Sequence, residues 1–223
     1  MGFVFGFDDG RASFNIILYM FNIIKYVILA FIVLLVYVQT QKFFAKKAGS
    51  SIKITLWNAK WFKLPFGKKK HSLFLWILVP ITISLISKGQ LFFASILSPE
   101  FIEHPKYRIE RKYSKLTEFD RSKILASAPL CLILFALIIN PLLEDLSFVS
   151  SVVALFSMLP IPGLAGVGIF FGSKPLYIFT LVFIIAIMFF LKFFSLTSTL
   201  AIAILFACSA TITYFWVFFK KKR

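Results

Sequence analysis

The 223-residue chain contains only two histidines, and their placement limits the chemistry open to it. His71 ends the run Lys68-Lys69-Lys70-His71, and His104 sits in Ile102-Glu103-His104-Pro105. A hydrolytic zinc site needs two imidazoles one helical turn apart, a third ligand, and a glutamate that handles the proton of the metal-bound water. No His-Glu-x-x-His occurs, so Glu103 and His104 could hold a metal only with help from distant residues; placement at a membrane interface is the simpler account. A serine protease working inside a membrane would need a histidine within an apolar run, and none lies there. Paired carboxylates fail in the same way, because no acid lies in an apolar run long enough to span; Glu144-Asp145, just after Asn140-Pro141, reads as a polar turn. Cys131 and Cys208 fall within apolar runs, where thiols act as small hydrophobes, and no disulfide is expected.

One segment breaks the apolar pattern. Ser157-Met158-Leu159-Pro160-Ile161-Pro162-Gly163-Leu164-Ala165-Gly166 carries two prolines and two glycines where a plain membrane helix would have none. Proline removes a helix hydrogen bond and glycine permits close backbone approach, so a broken or tightly packed helix is expected here. Pro160, Pro162, Gly163, Ala165, Gly166 and Gly168 present little side-chain cover. They suit either packing within the protein or a groove for a helix of another polypeptide.

The elements that must position these residues follow from composition. With 60% hydrophobic and 15% charged residues and 30 phenylalanines, the chain has more apolar surface than one soluble core can hide. A hydrocarbon core about 30 Å thick takes roughly 20 apolar residues per helix. Apolar runs cover 16–38, 73–87, 91–102, 124–143, 148–171, 176–191 and 196–219. The expectation is an all-α polytopic membrane protein with about six transmembrane helices, between five and seven. Lys25 interrupts the first run about two turns in, where its stem can carry the amine to the interface.

Charge gives the expected orientation. Residues 41–71 hold nine lysines and no acid, and 105–123 add seven more basic residues, which places both segments and the tail Lys220-Lys221-Lys222-Arg223 on the cytoplasmic side. Asp8, Asp9, Glu144 and Asp145 mark the other side. The chain is then expected in the plasma membrane with its N-terminus outside, its C-terminus inside and an odd number of crossings. The run 91–102 is too short to span, so it is expected to enter as a half-helix or re-entrant segment, with Pro99 ending it. The net charge of +16 reads as topology and contact with anionic lipid, and no nucleic-acid partner is expected, although the two basic loops could face RNA.

The organisation expected is a single membrane domain, 1–223, built from an anchor span (12–39), a basic loop (40–71), a span with the half-helix (72–104), a second basic loop (105–123), core spans (124–219) and a basic tail (220–223). In the first loop Ile52-Lys53-Ile54-Thr55-Leu56-Trp57 alternates with period two, Asn58-Ala59 can turn, and Trp61-Phe62-Lys63-Leu64 alternates again. This predicts a short cytoplasmic or interfacial β-hairpin. Ile52, Ile54, Leu56, Trp57 and Trp61 would make it an interfacial anchor or an open edge on which an extended peptide can pair.

The stretch 111–177 resembles the later half of the site-2 protease family of intramembrane zinc metalloproteases, in its divergent archaeal form. That family has a charged segment leading to an alanine-glycine-proline element, then an asparagine-x-leucine-proline-hydrophobic-proline-x-leucine-aspartate-glycine motif about thirty residues on. Here Thr117-Glu118-Phe119-Asp120 precedes Ser127-Ala128-Pro129-Leu130, and Pro160 follows Pro129 by thirty-one residues. In the family, two histidines of His-Glu-x-x-His and the motif's aspartate hold zinc. In this chain the aspartate position is Ala165, and supporting asparagines correspond to Ser157 and Leu132. The resemblance therefore implies the scaffold without the hydrolysis: no cofactor, and a protein that binds or guides membrane polypeptides among membrane lipids. An active but degenerate metalloprotease holding zinc through His71, Glu103 or His104, and a transporter or channel subunit, are the alternatives.

Overall fold

A computed structural model describes residues 2–6, 16–57, 75–87, 93–94, 97–102 and 116–220. These form eight helices, α1 (Gly2–Gly6), α2 (Ile16–Lys47), α3 (Leu75–Ile86), α4 (Glu118–Ile139), α5 (Glu144–Ser157), α6 (Ala165–Gly172), α7 (Lys174–Phe190) and α8 (Leu196–Lys220), and two strands, β1 (Ser51–Leu56) and β2 (Leu97–Ile102). Three of the helices, α2, α4 and α8, are long and apolar enough to cross a membrane. The outer faces of α2 and α8 carry exposed Phe21, Phe31, Leu205 and Trp216, apolar surface suited to lipid.

The bundle is organised around α4, against which α2, α5, α6 and α7 all pack. Its start is fixed locally. Thr117 caps the helix by accepting from the Asp120 amide at 3.1 Å, and Glu118 and Asp120 place negative charge in the first turn. The helix thus begins inside what the sequence reads as the second basic loop. Its buried face is rich in small residues, Ser122, Ala126, Ser127, Ala128 and Ala136. Small residues let helix backbones approach where lipid supplies no hydrophobic drive between helices. α5 answers with Ser147, Ser150, Ser151 and Ala154, all buried. The serine hydroxyls are satisfied by backbone: Ser150 and Ser151 donate within α5, and Ser147 donates across the interface to the Ala136 carbonyl at 2.8 Å. A hydroxyl bond of this kind between membrane helices contributes about 0.6 kcal/mol on average.

α2 turns one stripe, Ala30, Val33, Tyr37, Gln41 and Ala45, toward the bundle. It runs nine residues beyond the apolar run 16–38, taking in Lys42, Lys46 and Lys47, because basic side chains in a last turn suit the negative end of the helix. Two contacts pin α2 beside α5. Lys25 pairs with Asp145, whose other oxygen accepts from the Tyr26 hydroxyl at 3.2 Å. Twelve residues further along each helix, Tyr37 comes close to Ser157. Equal spacing on both helices makes them parallel and in step over about 18 Å. Lys25 is therefore paired, and does not rely on snorkelling alone.

The sheet corrects one expectation and gives β1 a distant partner. The run 91–102 does not supply a half-helix at its end: 97–102 is strand β2, with Pro99 inside it rather than ending a helix. β1 pairs with β2 in antiparallel register; the second arm expected at 61–64, with Trp61, lies outside the described residues. The cross-strand pairs explain the choice. Ile52 faces Phe101, Ile54 faces Pro99 and Leu56 faces Leu97 on one side, while Lys53 stands opposite Glu100 and Thr55 opposite Ser98 on the other. Proline costs such a sheet little, since among the described residues both strands are edges.

The apolar run 148–171 is broken, as its prolines and glycines lead one to expect, into two helices, α5 and α6, joined by a turn. The short helix α6 lies on the first half of α4, and its glycines fit with no space to spare. A Cβ on Gly172 would collide with the Ser122 hydroxyl and stand 2.5 Å from the Glu118 carbonyl oxygen, and one on Gly166 would collide with the carbonyls of Met158 and Leu159. Gly172→Ala is accordingly expected to lower stability by about 1–3 kcal/mol, the cost of overpacking. Thermal melting in detergent should show that loss, whereas Ala201→Val on the exposed face of α8 should leave the midpoint nearly unchanged.

Candidate functional site

The turn 158–164 is where the structure concentrates its irregular backbone. Met158 and Leu159 close the end of α5 by donating to Leu155 and Phe156 carbonyls; Ile161 donates to Leu159 at 2.8 Å and Leu164 to Ile161 at 3.0 Å. Gly163 has φ of 93°, a conformation that favours glycine. Pro160, Pro162 and Gly163 are exposed, while Leu164, Ala165 and Gly166 are buried. The small-residue surface expected as a helix-binding groove is therefore divided. Gly166 backs onto the turn and Gly168 onto Leu125 of α4, so that portion is filled by the protein's own chain, and only the proline turn remains open.

Trp57, at the end of β1, covers one side of this turn. Its Nε1–H donates to the Pro162 carbonyl at 2.9 Å, and its ring lies so close to Gly163 that a Cβ there would be 2.7 Å from it. Trp57 also stacks on Phe93, which packs on Phe156 of α5, and its carbonyl accepts from the Trp76 amide at the start of α3. This small apolar cluster, Trp57, Phe93 and Leu164 with α3 side chains against it, is separate from the main core. Of the five residues expected to form a peptide-pairing edge, Ile52, Ile54 and Leu56 share one face of the sheet, opposite Phe101, Pro99 and Leu97, and Trp57 is committed to the turn.

On the bundle side of the turn stands a polar group that sequence reasoning missed. Tyr37 and Gln41, one turn apart on α2, are both buried, and Gln41 Nε2 donates to the Tyr37 hydroxyl at 3.2 Å. The Tyr37 hydroxyl lies near Ser157, which donates to the Ala154 carbonyl at 2.8 Å. The signal available in sequence was a tyrosine and a glutamine four residues apart at the end of an apolar run; a search confined to imidazoles and carboxylates passes over it.

Chemically, these groups are a phenol, a carboxamide and an alcohol, all neutral oxygen and nitrogen donors with no carboxylate or imidazole among them. Ala165, at the first position of α6, adds only a methyl, and Leu132 is fully buried. Zinc prefers thiolate, imidazole or carboxylate ligands, so the residues at this centre do not fit that ion. Among the described residues no three His, Cys, Asp or Glu side chains gather. His71, Glu103 and His104 lie outside the described residues. The arrangement can hold backbone rigid and present an exposed turn; it offers no activated nucleophile.

The class defined so far is a mostly helical protein with three membrane-length helices and a proline-broken helix at its centre. No family model matches the chain, and neither a curated protein nor a solved structure matches it. Function must then be read from the site itself.

The Trp57 contact gives two expectations. Trp57→Phe removes the N–H and part of a buried ring, so it should cost more than about 1 kcal/mol, the contribution of one hydrogen bond. Gly163→Ala meets both a positive φ and the indole ring, and should also lower stability. Melting in detergent measures both, and a Gly163→Ala variant as stable as wild type would contradict the close packing.

Proposed function

We propose that this chain is a polytopic membrane protein with a scaffold of the site-2 protease kind, that it does not hydrolyse peptides, and that it binds or guides membrane polypeptides. The observation that carries this reading is the exposed Pro160-Ile161-Pro162-Gly163 turn, held under Trp57 at the end of a strand and backed by residues that do not suit a metal. The resemblance calls for two imidazoles one turn apart beside the motif. The buried pair one turn apart beside Ser157 is Tyr37 and Gln41.

The crossings in this proposal are α2, α4, the broken pair α5 with α6, α7 and α8. Five crossings give the odd parity that an outer N-terminus and a cytoplasmic C-terminus require, with α3 and β2 forming an excursion that enters and returns on one side. The pairing of Lys25 with Asp145 supports this arrangement by joining the ends of α2 and α5 assigned to the outer face. The basic ends then meet the anionic inner leaflet of the plasma membrane. A strand edge of the small sheet, lying next to the proline turn, offers main-chain groups to an extended segment.

Photocrosslinking in native membranes from a probe at position 162 is expected to capture one defined transmembrane segment of another polypeptide. Only intramolecular products would mean that the turn serves packing alone. Purified protein is expected to carry no zinc; stoichiometric zinc that disappears in His104→Ala would contradict the non-catalytic reading and favour the degenerate metalloprotease.

A further inference from the structure

The start of α4, the end of α6, the start of α7 and the end of α8 meet at one end of the bundle. The Ser122 hydroxyl of α4 donates to the Gly168 carbonyl of α6 at 3.4 Å. Lys174, the first residue of α7, holds its Nζ 5.9 Å from the ring centre of Phe170 on α6 and 5.9 Å from that of Phe218 on α8. The charges at this end do not balance. Glu118 pairs with Arg121 at 3.3 Å and Asp120 with Lys123 at 3.5 Å, so both acids of the α4 start are matched by bases of their own helix. Lys174 is exposed and has only aromatic rings as partners among the described residues. Beyond Phe218 the sequence continues Phe219-Lys220-Lys221-Lys222-Arg223. An anion is the complement of such an end.

A second group points to the same place. Tyr177, one turn along α7 from Lys174, is only 8% exposed, yet its hydroxyl makes no hydrogen bond among the described residues. Helical side chains lean toward the start of their helix, which directs this phenol toward Lys174. Phe170 stands beside both, its ring meeting that of Tyr177 edge-on at 5.3 Å between centroids. The flanking surface is apolar, with Phe171 79% and Phe218 53% exposed.

We infer that Lys174 and Tyr177 bind the phosphate of an anionic phospholipid, the lysine through its charge and the tyrosine by donating its hydroxyl, while the acyl chains lie along Phe171 and Phe218. An ammonium is a compact charge with three donors, which suits a phosphate, and a phenol donates well to an anionic oxygen. Exposed aromatic surface beside the lysine favours a lipid over a free anion, since aromatic rings and basic side chains share the headgroup layer. The inference rests on the reading of the chain as a membrane protein, and not on the protease-like scaffold or its orientation.

Native mass spectrometry of the full chain, titrated in detergent with phosphatidylglycerol or phosphatidylcholine, tests the site. The first phosphatidylglycerol is expected to bind more tightly than phosphatidylcholine, whose choline brings its own cation. Lys174→Gln is expected to weaken that first binding about fivefold, the effect of one basic residue near anionic lipid. Tyr177→Phe is expected to weaken it about tenfold through one lost hydrogen bond to a charged group. Lys46→Gln, the same charge change at the end of α2, should leave it unaltered. Equal affinity for the two lipids, or a first binding unchanged in either Lys174→Gln or Tyr177→Phe, would overturn the site. Displacement of the lipid by inorganic phosphate would overturn it too, by marking a site for a free anion. Failure of the wild-type chain to enter bilayers of either lipid would refute the membrane reading, and the site with it.

Discussion

The absence of a side chain at Gly166 is the constraint on which the rest of the architecture turns. Any Cβ there would collide with the carbonyls of Met158 and Leu159, so the first turn of α6 lies directly on the backbone that ends α5. A helix can be broken inside an apolar bundle only if its freed polar groups find partners or cover. Here the turn bonds to itself through Ile161 and Leu164, receives the Trp57 indole at the Pro162 carbonyl, and is backed by α6 at contact distance. α6 can then lie on α4, where Gly168 and Gly172 repeat the same close approach.

The other elements serve that break. The ion pair of Lys25 with Asp145 fixes the start of α5 against α2, and twelve residues further along each helix the end of α5 lies near the buried polar pair Tyr37 and Gln41. The half-exposed ion pair contributes no more than about 1 kcal/mol. The pair positions the helices, and burial of small residues between α4 and α5 supplies most of the cohesion. On the other side, the pairing of β1 with β2 runs to Leu56 opposite Leu97, and Trp57, the next residue, lays its indole on the turn.

Much of this was legible in the sequence, and the failures have physical causes. The break was visible because proline and glycine act through covalent geometry, which no tertiary contact overrides. The strand at 97–102 was hidden because a short apolar stretch reads equally as half-helix or strand; the deciding fact, a partner forty residues earlier with Lys53 opposite Glu100, is not local. The length of α2 was hidden because its lysines were read as loop charges, although a helix end attracts them equally well. The polar pair Tyr37 and Gln41 escaped notice because its meaning depends on Ser157, more than a hundred residues away in the chain. Position 165, by contrast, was assigned from the motif alone, and the structure puts its methyl in the core at the start of α6.

The central proposal is that a metalloprotease-like frame has kept its shape while the positions that would hold metal carry neutral groups. Zinc content measured on the triple variant Tyr37→His, Gln41→His and Ala165→Asp, beside wild type, tests it most directly. The proposal predicts no bound zinc in wild type and one zinc per chain in the variant, because it assigns two imidazoles one turn apart and a carboxylate at the start of α6 to one metal. A folded variant that takes up no zinc, or a wild-type protein that already carries it, would contradict the claim.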